Sequence, residues 1–346
     1  MYRVLVLLFF SLLVFHGEAQ LEKQLLDFEF EGVNLNGVLN TPKNRVPKGI
    51  ILIVHGSGQT NAIAQEWWYD VRQAVINAGY ATYMWDKMGC GKSEGTFNYN
   101  QTVQNSALEA IAAISMLKEK HVGGSEKIGL WGISRAGWIN PIVIDRYKDI
   151  DLWISVSGVD DDETFKYLLE QNLRINGHTI DEVDQIVGEW HNGVLLSRNG
   201  KSYEEYLAAT PTLQKNEFWL RFNNGGIKEK GYYEYQKVLK EAKLDKESKL
   251  PLYVEDFEKM LSKVDIPVLA IFGEKDMHVD WKQTKKLYER TLASNKQLTI
   301  KTFPKGNHNL HQCKTGGFYE FEDDKLPYAR CDGFLDAITS WLEERE

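Results

Sequence analysis

The sequence predicts an α/β protein built on a mostly parallel central sheet, and three observations carry the prediction. Short apolar runs alternate with helical spacing up to residue 158 and again after residue 264. Runs such as Ile50-Ile51-Leu52-Ile53-Val54 have no polar face, as expected of strands covered by helices on both sides. Between the two alternating segments the strand pattern disappears and only amphipathic helical spacing remains.

Met1-Tyr2-Arg3 is a short positive start, followed by an apolar run from Val4 to Phe15 broken only by Ser11. Gly17-Glu18-Ala19 then supplies the small residues signal peptidase requires, so residues 1–19 read as a secretory signal with the mature chain beginning near Gln20. The apolar run is shorter than the ~20 residues of a membrane-spanning helix. The expected location is therefore secreted or periplasmic, with no stable membrane insertion after cleavage.

Leu26 to Leu39 alternates as a hairpin, and Gly49 to Val54 is the first buried strand. A helix presenting Trp67, Trp68, Val71 and Val75 follows, closed by Gly79, before a strand from Tyr80 to Trp85. Asn100–Lys120 is expected to be helical, Lys127–Ile133 a strand, Arg135–Tyr147 a helix and Leu152–Val156 a strand. Pro141 falls inside the third helix, where it is expected to kink it. Residues 159–263 read as a helical cap insertion, too long for a connecting loop, which divides a core of residues 20–158 and 264–346. In the second core segment Val268–Phe272 is a strand, Trp281–Leu292 a helix, Gln297–Phe303 a strand and Phe334–Leu342 a closing helix.

The 346 residues carry a net charge of -8, with no basic stripe, so nothing recommends a nucleic-acid partner. Cys90, Cys313 and Cys331 are an odd count; Cys313 and Cys331 are spaced to close a short loop in an oxidising compartment, or all three are free.

In a parallel sheet, chemistry collects at the carboxyl ends of the strands. There the sequence places His55-Gly56-Ser57-Gly58, then Asp86 to Ser93, then Ser134, then Gly273-Glu274-Lys275-Asp276, then Gly306-Asn307-His308. Gly132 and Ala136 flank Ser134 at two residues on each side, the spacing of a nucleophile elbow, with Ala136 where the usual pattern has glycine. A serine hydroxyl is a poor nucleophile at neutral pH and needs a base, and the base needs a carboxylate to fix its tautomer. Ser134 is thus the expected nucleophile, His308 the base and Asp276 its orienting acid. The N–H of Arg135 and one from the Gly56-Ser57-Gly58 turn, with Ser57 favoured, would hold the oxyanion.

His-Gly-x-Gly, Asp86-x-x-Gly-x-Gly-x-Ser93, the elbow, Gly-x-x-Asp276 and Gly-x-His308 together resemble the α/β-hydrolase superfamily, in its secreted esterase, lipase-like or dienelactone-hydrolase-like branches. The resemblance covers Phe28 to Gly158 and Val264 to Leu342 and implies an α/β-hydrolase fold, a mostly parallel central sheet flanked by helices with a helical cap, and no cofactor or metal.

Other readings of single residues are weaker. His55 precedes the oxyanion turn and is not expected to be the base. Gly91-Lys92-Ser93 mimics a phosphate-binding loop, but the required first glycine falls at Asp86, which is better read as tying its own turn. His308 and His311 have metal-ligand spacing with no supporting thiolate or HExxH pattern. Asp280 and Glu274 compete with Asp276 as the acid. Trp190, His191, Trp219, Phe222, Tyr232, Tyr233 and Tyr235 make the insertion aromatic, core for the most part, with one or two expected to shape a substrate pocket. The expected reaction is hydrolysis of a carboxylic ester through an acyl-enzyme. The alternatives are a serine peptidase or aminopeptidase, gripping a short peptide through Glu163, Glu170 or Glu189, and a non-catalytic binding protein.

Overall fold

The computed structural model describes residues 21–160, 164–292 and 297–345. The expected signal at residues 1–19 lies outside them. In chain order the elements are β1 (Leu21–Leu25), β2 (Phe28–Phe30), β3 (Val33–Leu35), β4 (Gly37–Pro42), β5 (Ile50–Val54), α1 (Tyr69–Asn77) and β6 (Ala81–Trp85). There follow α2 (Val103–Glu119), β7 (Ile128–Ile133), α3 (Ala136–Arg146) and β8 (Ile150–Val156). The helical stretch holds α4 (Thr164–Ile175), α5 (Ile180–Arg198), α6 (Tyr203–Ala209), α7 (Glu217–Phe222), α8 (Glu229–Glu241) and α9 (Phe257–Leu261). The chain closes with β9 (Val268–Gly273), α10 (Trp281–Thr291), β10 (Leu298–Phe303), α11 (Glu320–Asp323) and α12 (Phe334–Glu343).

Eight strands form one sheet in the order β1-β4-β6-β5-β7-β8-β9-β10. β1 and β6 pair antiparallel with β4, and every other pairing is parallel. The expected hairpin is the β2–β3 pair, turned by Glu31-Gly32 with both φ positive (53° and 77°), the backbone of a two-residue hairpin loop. β4 leaves that hairpin to join the main sheet. β1 was not legible, because Leu21-Glu22-Lys23-Gln24-Leu25 is an exposed edge strand with no apolar face.

Continuous apolar strands are explained by the layering. Ile50, Leu52 and Val54 of β5 pack with Ala107, Ile114, Ile139 and Val143 of α2 and α3 on one face. Ile51 and Ile53 pack with Val71 and Val75 of α1 and Phe334, Ile338 and Trp341 of α12 on the other. All five β5 residues and all six of β7 are buried, each large aliphatic side chain contributing about 1.5–3 kcal/mol. α3 runs on through Pro141, whose missing N–H forfeits the helical bond to Gly137.

The helical stretch has its own apolar cluster, including Leu169, Leu173, Val183, Ile186, Trp190, Leu213, Phe218, Trp219 and Leu250. Val254, Phe257 and Leu261 instead join the core beneath the sheet. α5 begins with a reciprocal capping box between Thr179 and Glu182, and α6 with one between Ser202 and Glu205. No helix among the described residues is long and apolar enough to cross a membrane.

Candidate active site

β7 ends at Ile133, and the chain turns at Ser134 with φ 57°, a left-handed conformation that costs a non-glycine residue of order 1–3 kcal/mol. The strain is held on several sides. The Ser134 N–H donates to the Val156 carbonyl at the end of β8 (3.1 Å), and the Ser134 carbonyl accepts from the Gly137 N–H (2.7 Å). A Cβ at Gly132 would stand 2.6 Å from the Ala136 methyl and from Asn140 Nδ2, and one at Gly137 would stand 2.8 Å from the Val159 N. Ala136 is therefore accommodated because Gly132 is bare.

The His55-Gly56-Ser57-Gly58 turn lies against the elbow: a Cβ on Gly56 would fall 3.2 Å from the Ile133 carbonyl and 3.6 Å from Ser134 Cβ. Lys87 Nζ donates to the carbonyls of Gly56 (2.7 Å) and Gly58 (2.6 Å). In a planar trans peptide the N–H points opposite its carbonyl, so the Ser57 N–H faces away from Lys87. Within the described residues neither the Ser57 nor the Arg135 N–H has a protein acceptor, which leaves both free to donate to a ligand. The Arg135 side chain is turned aside, its guanidinium donating to Ser106 Oγ (3.0 Å) and the Gln101 carbonyl.

The expected acid and base arrive on two turns packed backbone to backbone. A Cβ on Gly273 would lie 2.3 Å from the Asn307 carbonyl, and the Lys275 N–H donates to the Gly306 carbonyl (2.9 Å). Asp276, 1 % exposed, accepts from His308 Nδ1 through Oδ2 (2.8 Å) and from the His278 and Val279 N–H groups through Oδ1 (2.9 and 3.0 Å). Burial works to raise the Asp276 pKa, but the charge and hydrogen bond of His308, with the His278 N–H, outweigh it and hold the carboxyl below its ordinary value. With Nδ1 donating to Asp276, Nε2 is left as the basic nitrogen.

The serine and the histidine are joined through β8. Val156 accepts from the Ser134 N–H, and the next residue, Ser157, donates its hydroxyl to the His308 carbonyl (2.7 Å). Ser157 also has positive φ, 44°. Asn307 Oδ1 accepts from the N–H groups of Asn309 (3.0 Å) and His311 (2.9 Å), closing the turn that holds His308 between them. The His278 ring stacks on His308 (centroids 4.6 Å apart) and on Phe318 (4.7 Å). Burial, then the neighbouring His308, pushes His278 down to about 3, so it packs as a neutral ring at physiological pH. From α4, Tyr167 donates to the Asp276 carbonyl (3.2 Å) and Asn172 to that of Met277 (3.2 Å).

The competing residues have other occupations. Asp280 caps α10 by accepting from the Lys282 and Gln283 N–H groups, and His308 Nδ1 pairs with Asp276 rather than with Glu274. His55 is buried against Trp67 and Trp85, where desolvation and the charge of Lys87 push it down to about 3. Asp86 accepts from the Ile63 and Lys92 N–H groups, Ser93 donates to the Asp86 carbonyl, and a Cβ on Gly91 would fall 2.1 Å from Asp86 Oδ2; that turn is scaffolding. His311 packs on Phe321 and Tyr328, and no group of metal-ligating side chains occurs among the described residues. Cys90, Cys313 and Cys331 stand as free thiols.

Sequence reasoning gave no role to Lys87 and Asn307, which stand in the strand-end stretches it singled out, and missed Ser157, His278, Tyr167 and Asn172. Ser157-Gly158 follows β8 directly, so the strand-end rule that found the other groups points to it too.

The strained serine, the sheet order and the buried His–Asp pair define a serine hydrolase of the α/β-hydrolase fold. The X-Pro dipeptidyl-peptidase (S15) family matches residues 31–308, and the chain belongs to that family. No curated protein matches it by sequence. Among solved structures it is similar to an esterase of Pyrococcus furiosus (15% identity, TM-score 0.55, covering 93% of this chain and 91% of that one). It is similar also to proline iminopeptidase of Mycobacterium smegmatis (16%, 0.52, 93% and 98%). A third is Est1E of Butyrivibrio proteoclasticus with ferulic acid bound (18%, 0.51, 92% and 96%). At these identities the likeness is one of fold.

Proposed function

We propose that this serine hydrolase cleaves a carboxylic ester through an acyl-enzyme. The observation that carries the catalytic reading is the left-handed backbone of Ser134 at the end of β7, joined through Val156 and Ser157 to the His308–Asp276 pair. His308 Nε2 takes the hydroxyl proton as Ser134 Oγ attacks the acyl carbon, and the N–H groups of Arg135 and Ser57 hold the oxyanion. Collapse expels the alcohol, which receives that proton from His308. Water then attacks the acyl-serine by the same route in reverse.

The ester reading is favoured over the peptide reading by the cap carboxylates. Glu170 is paired with Arg174 (2.8 Å), and Glu189 accepts from the Thr212 and Leu213 N–H groups (both 2.8 Å), so neither stands ready to grip a peptide ammonium. Glu163 lies outside the described residues. The family's own description, X-Pro dipeptidyl-peptidase, is what favours the second reading, a peptidase. A panel of p-nitrophenyl esters against aminoacyl and X-Pro anilides separates them: we expect kcat/KM on the best ester to exceed that on the best anilide at least tenfold, and the reverse order assigns a peptidase. Export is part of the same proposal, supported by the leader read in residues 1–19; N-terminal sequencing of the exported protein is expected to begin near Gln20.

A further inference from the structure

We infer that Lys87 is a positioning residue for catalysis, an ammonium clamp whose two hydrogen bonds to the Gly56 and Gly58 carbonyls aim the Ser57 N–H at the oxyanion. The inference rests on the serine-hydrolase reading above and adds a residue that touches neither substrate nor triad. Its basis is geometric. Gly56 and Gly58 bracket Ser57, and both carbonyls converge on Nζ at 2.7 and 2.6 Å. Gly58 is left-handed (φ 83°), with no neighbour near the place a side chain would occupy, so the turn gains little from packing there. A glycine-rich turn is conformationally free, and a donor peptide that swings loses its alignment with the developing charge. The clamp is the interaction that removes this freedom.

The surroundings make the clamp titratable. Burial lowers the Lys87 pKa to about 8, Arg135 adds to the lowering, and Glu109 and Cys90 oppose it. His55 is neutral because burial and Lys87 push it down to about 3, and the adjacent Asp86 carboxylate is taken up by the Ile63 and Lys92 N–H groups. A deprotonated Lys87 retains donors but loses the charge that strengthens both bonds. As Lys87 loses its proton the clamp weakens, and kcat/KM falls above a pH near 8.

The test is the pH profile of p-nitrophenyl acetate hydrolysis, corrected for spontaneous hydrolysis, for the native enzyme, K87M and K87R, with thermal melts as a folding check. For K87M we expect kcat to fall about 10- to 100-fold with KM within threefold, and the alkaline limb to vanish. K87R, whose guanidinium stays charged, recovers at least a third of native kcat and also lacks that limb. A K87M kcat within threefold of native, or an alkaline limb that persists at the same pH in K87R, overturns the inference. If K87M does not fold, the limb in K87R against the native enzyme decides. Fluorophosphonate labelling of native protein, lost in S134A, is run alongside: labelling without the Lys87 effects removes the clamp alone, whereas no labelling removes the hydrolase reading and the clamp with it.

Discussion

The turn that carries Ser134 is held by crowding and backbone hydrogen bonds, whereas the loop that carries His308 is held in addition by side-chain hydrogen bonds. At the elbow the absent side chains of Gly132 and Gly137 leave room for Ala136, Asn140 and the Val159 backbone, and the helix that follows fixes the serine in a conformation it would not choose. At the base loop Asp276, Ser157 and Asn307 bind the ring, the carbonyl and the flanking N–H groups of the His308 turn. In the proposed mechanism the nucleophile tolerates fixed strain because its task is to present one atom. The proposed base would have to keep one tautomer and one orientation while its charge changes during the reaction, which calls for polar partners on several sides.

The comparison breaks first at the chemistry. His308→Ala is expected to lower kcat on the order of 10⁶-fold and Asp276→Asn about 10⁴-fold on the best ester, both with native-like melting curves. An Asp276→Asn enzyme within tenfold of native kcat would mean that the ring is oriented by other contacts. Crowding at the elbow is tested next. Gly132→Ala is expected to cost about 1–3 kcal/mol in urea denaturation, because the new methyl meets two neighbours at 2.6 Å. Ala136→Gly alone costs up to about 1 kcal/mol through helix propensity. Combined with Gly132→Ala it recovers part of the loss, since one of the two collisions is gone, and an additive double mutant would refute steric coupling. Hydrogen bonding at the base loop gives the smallest effect. Ser157→Ala is expected to destabilise by about 1 kcal/mol and to lower kcat less than tenfold, with KM unchanged. Loss of stability without any change in kcat would make Ser157 a folding residue only.

The same contrast explains what could be read from the chain. Crowded places announce themselves, because small residues recur at fixed offsets: Gly132, Ala136 and Gly137 around the serine, and Gly273 and Gly306 ahead of the acid and the base. The buried strands were equally plain, since β5 and β7 have no polar residue to interrupt them. Hydrogen-bonded places do not announce themselves. Ser157 and Lys87 stand just past strand ends, but Ser157, Asn172 and Lys87 reach partners 151, 105 and about 30 residues away along the chain, and nothing local says which partners those are. His278 lay two residues from the predicted acid and was passed over because its packing on His308 depends on how two distant turns meet. β1 was missed for another reason: an exposed edge strand needs no apolar periodicity, only a free row of donors and acceptors on β4.

The helical stretch after β8 shows the limit from the other side. Its apolar spacing predicted helices, and Leu169, Val183, Trp190 and Trp219 meet in one cluster. Spacing tells which face of a helix is buried, but not which ring faces a substrate, because core and pocket residues obey the same period. Glu170 and Glu189, plausible grips for a peptide in sequence, are spent on Arg174 and on the N–H groups of Thr212 and Leu213.

The most direct test of the central claim is covalent labelling at Ser134. Native protein is incubated with a fluorophosphonate, and its intact mass and tryptic peptides are compared with those of S134A. A single adduct on the peptide containing Ser134, absent from S134A, is the result this account predicts. Native protein that stays unlabelled, or S134A that labels as well as native, would contradict it.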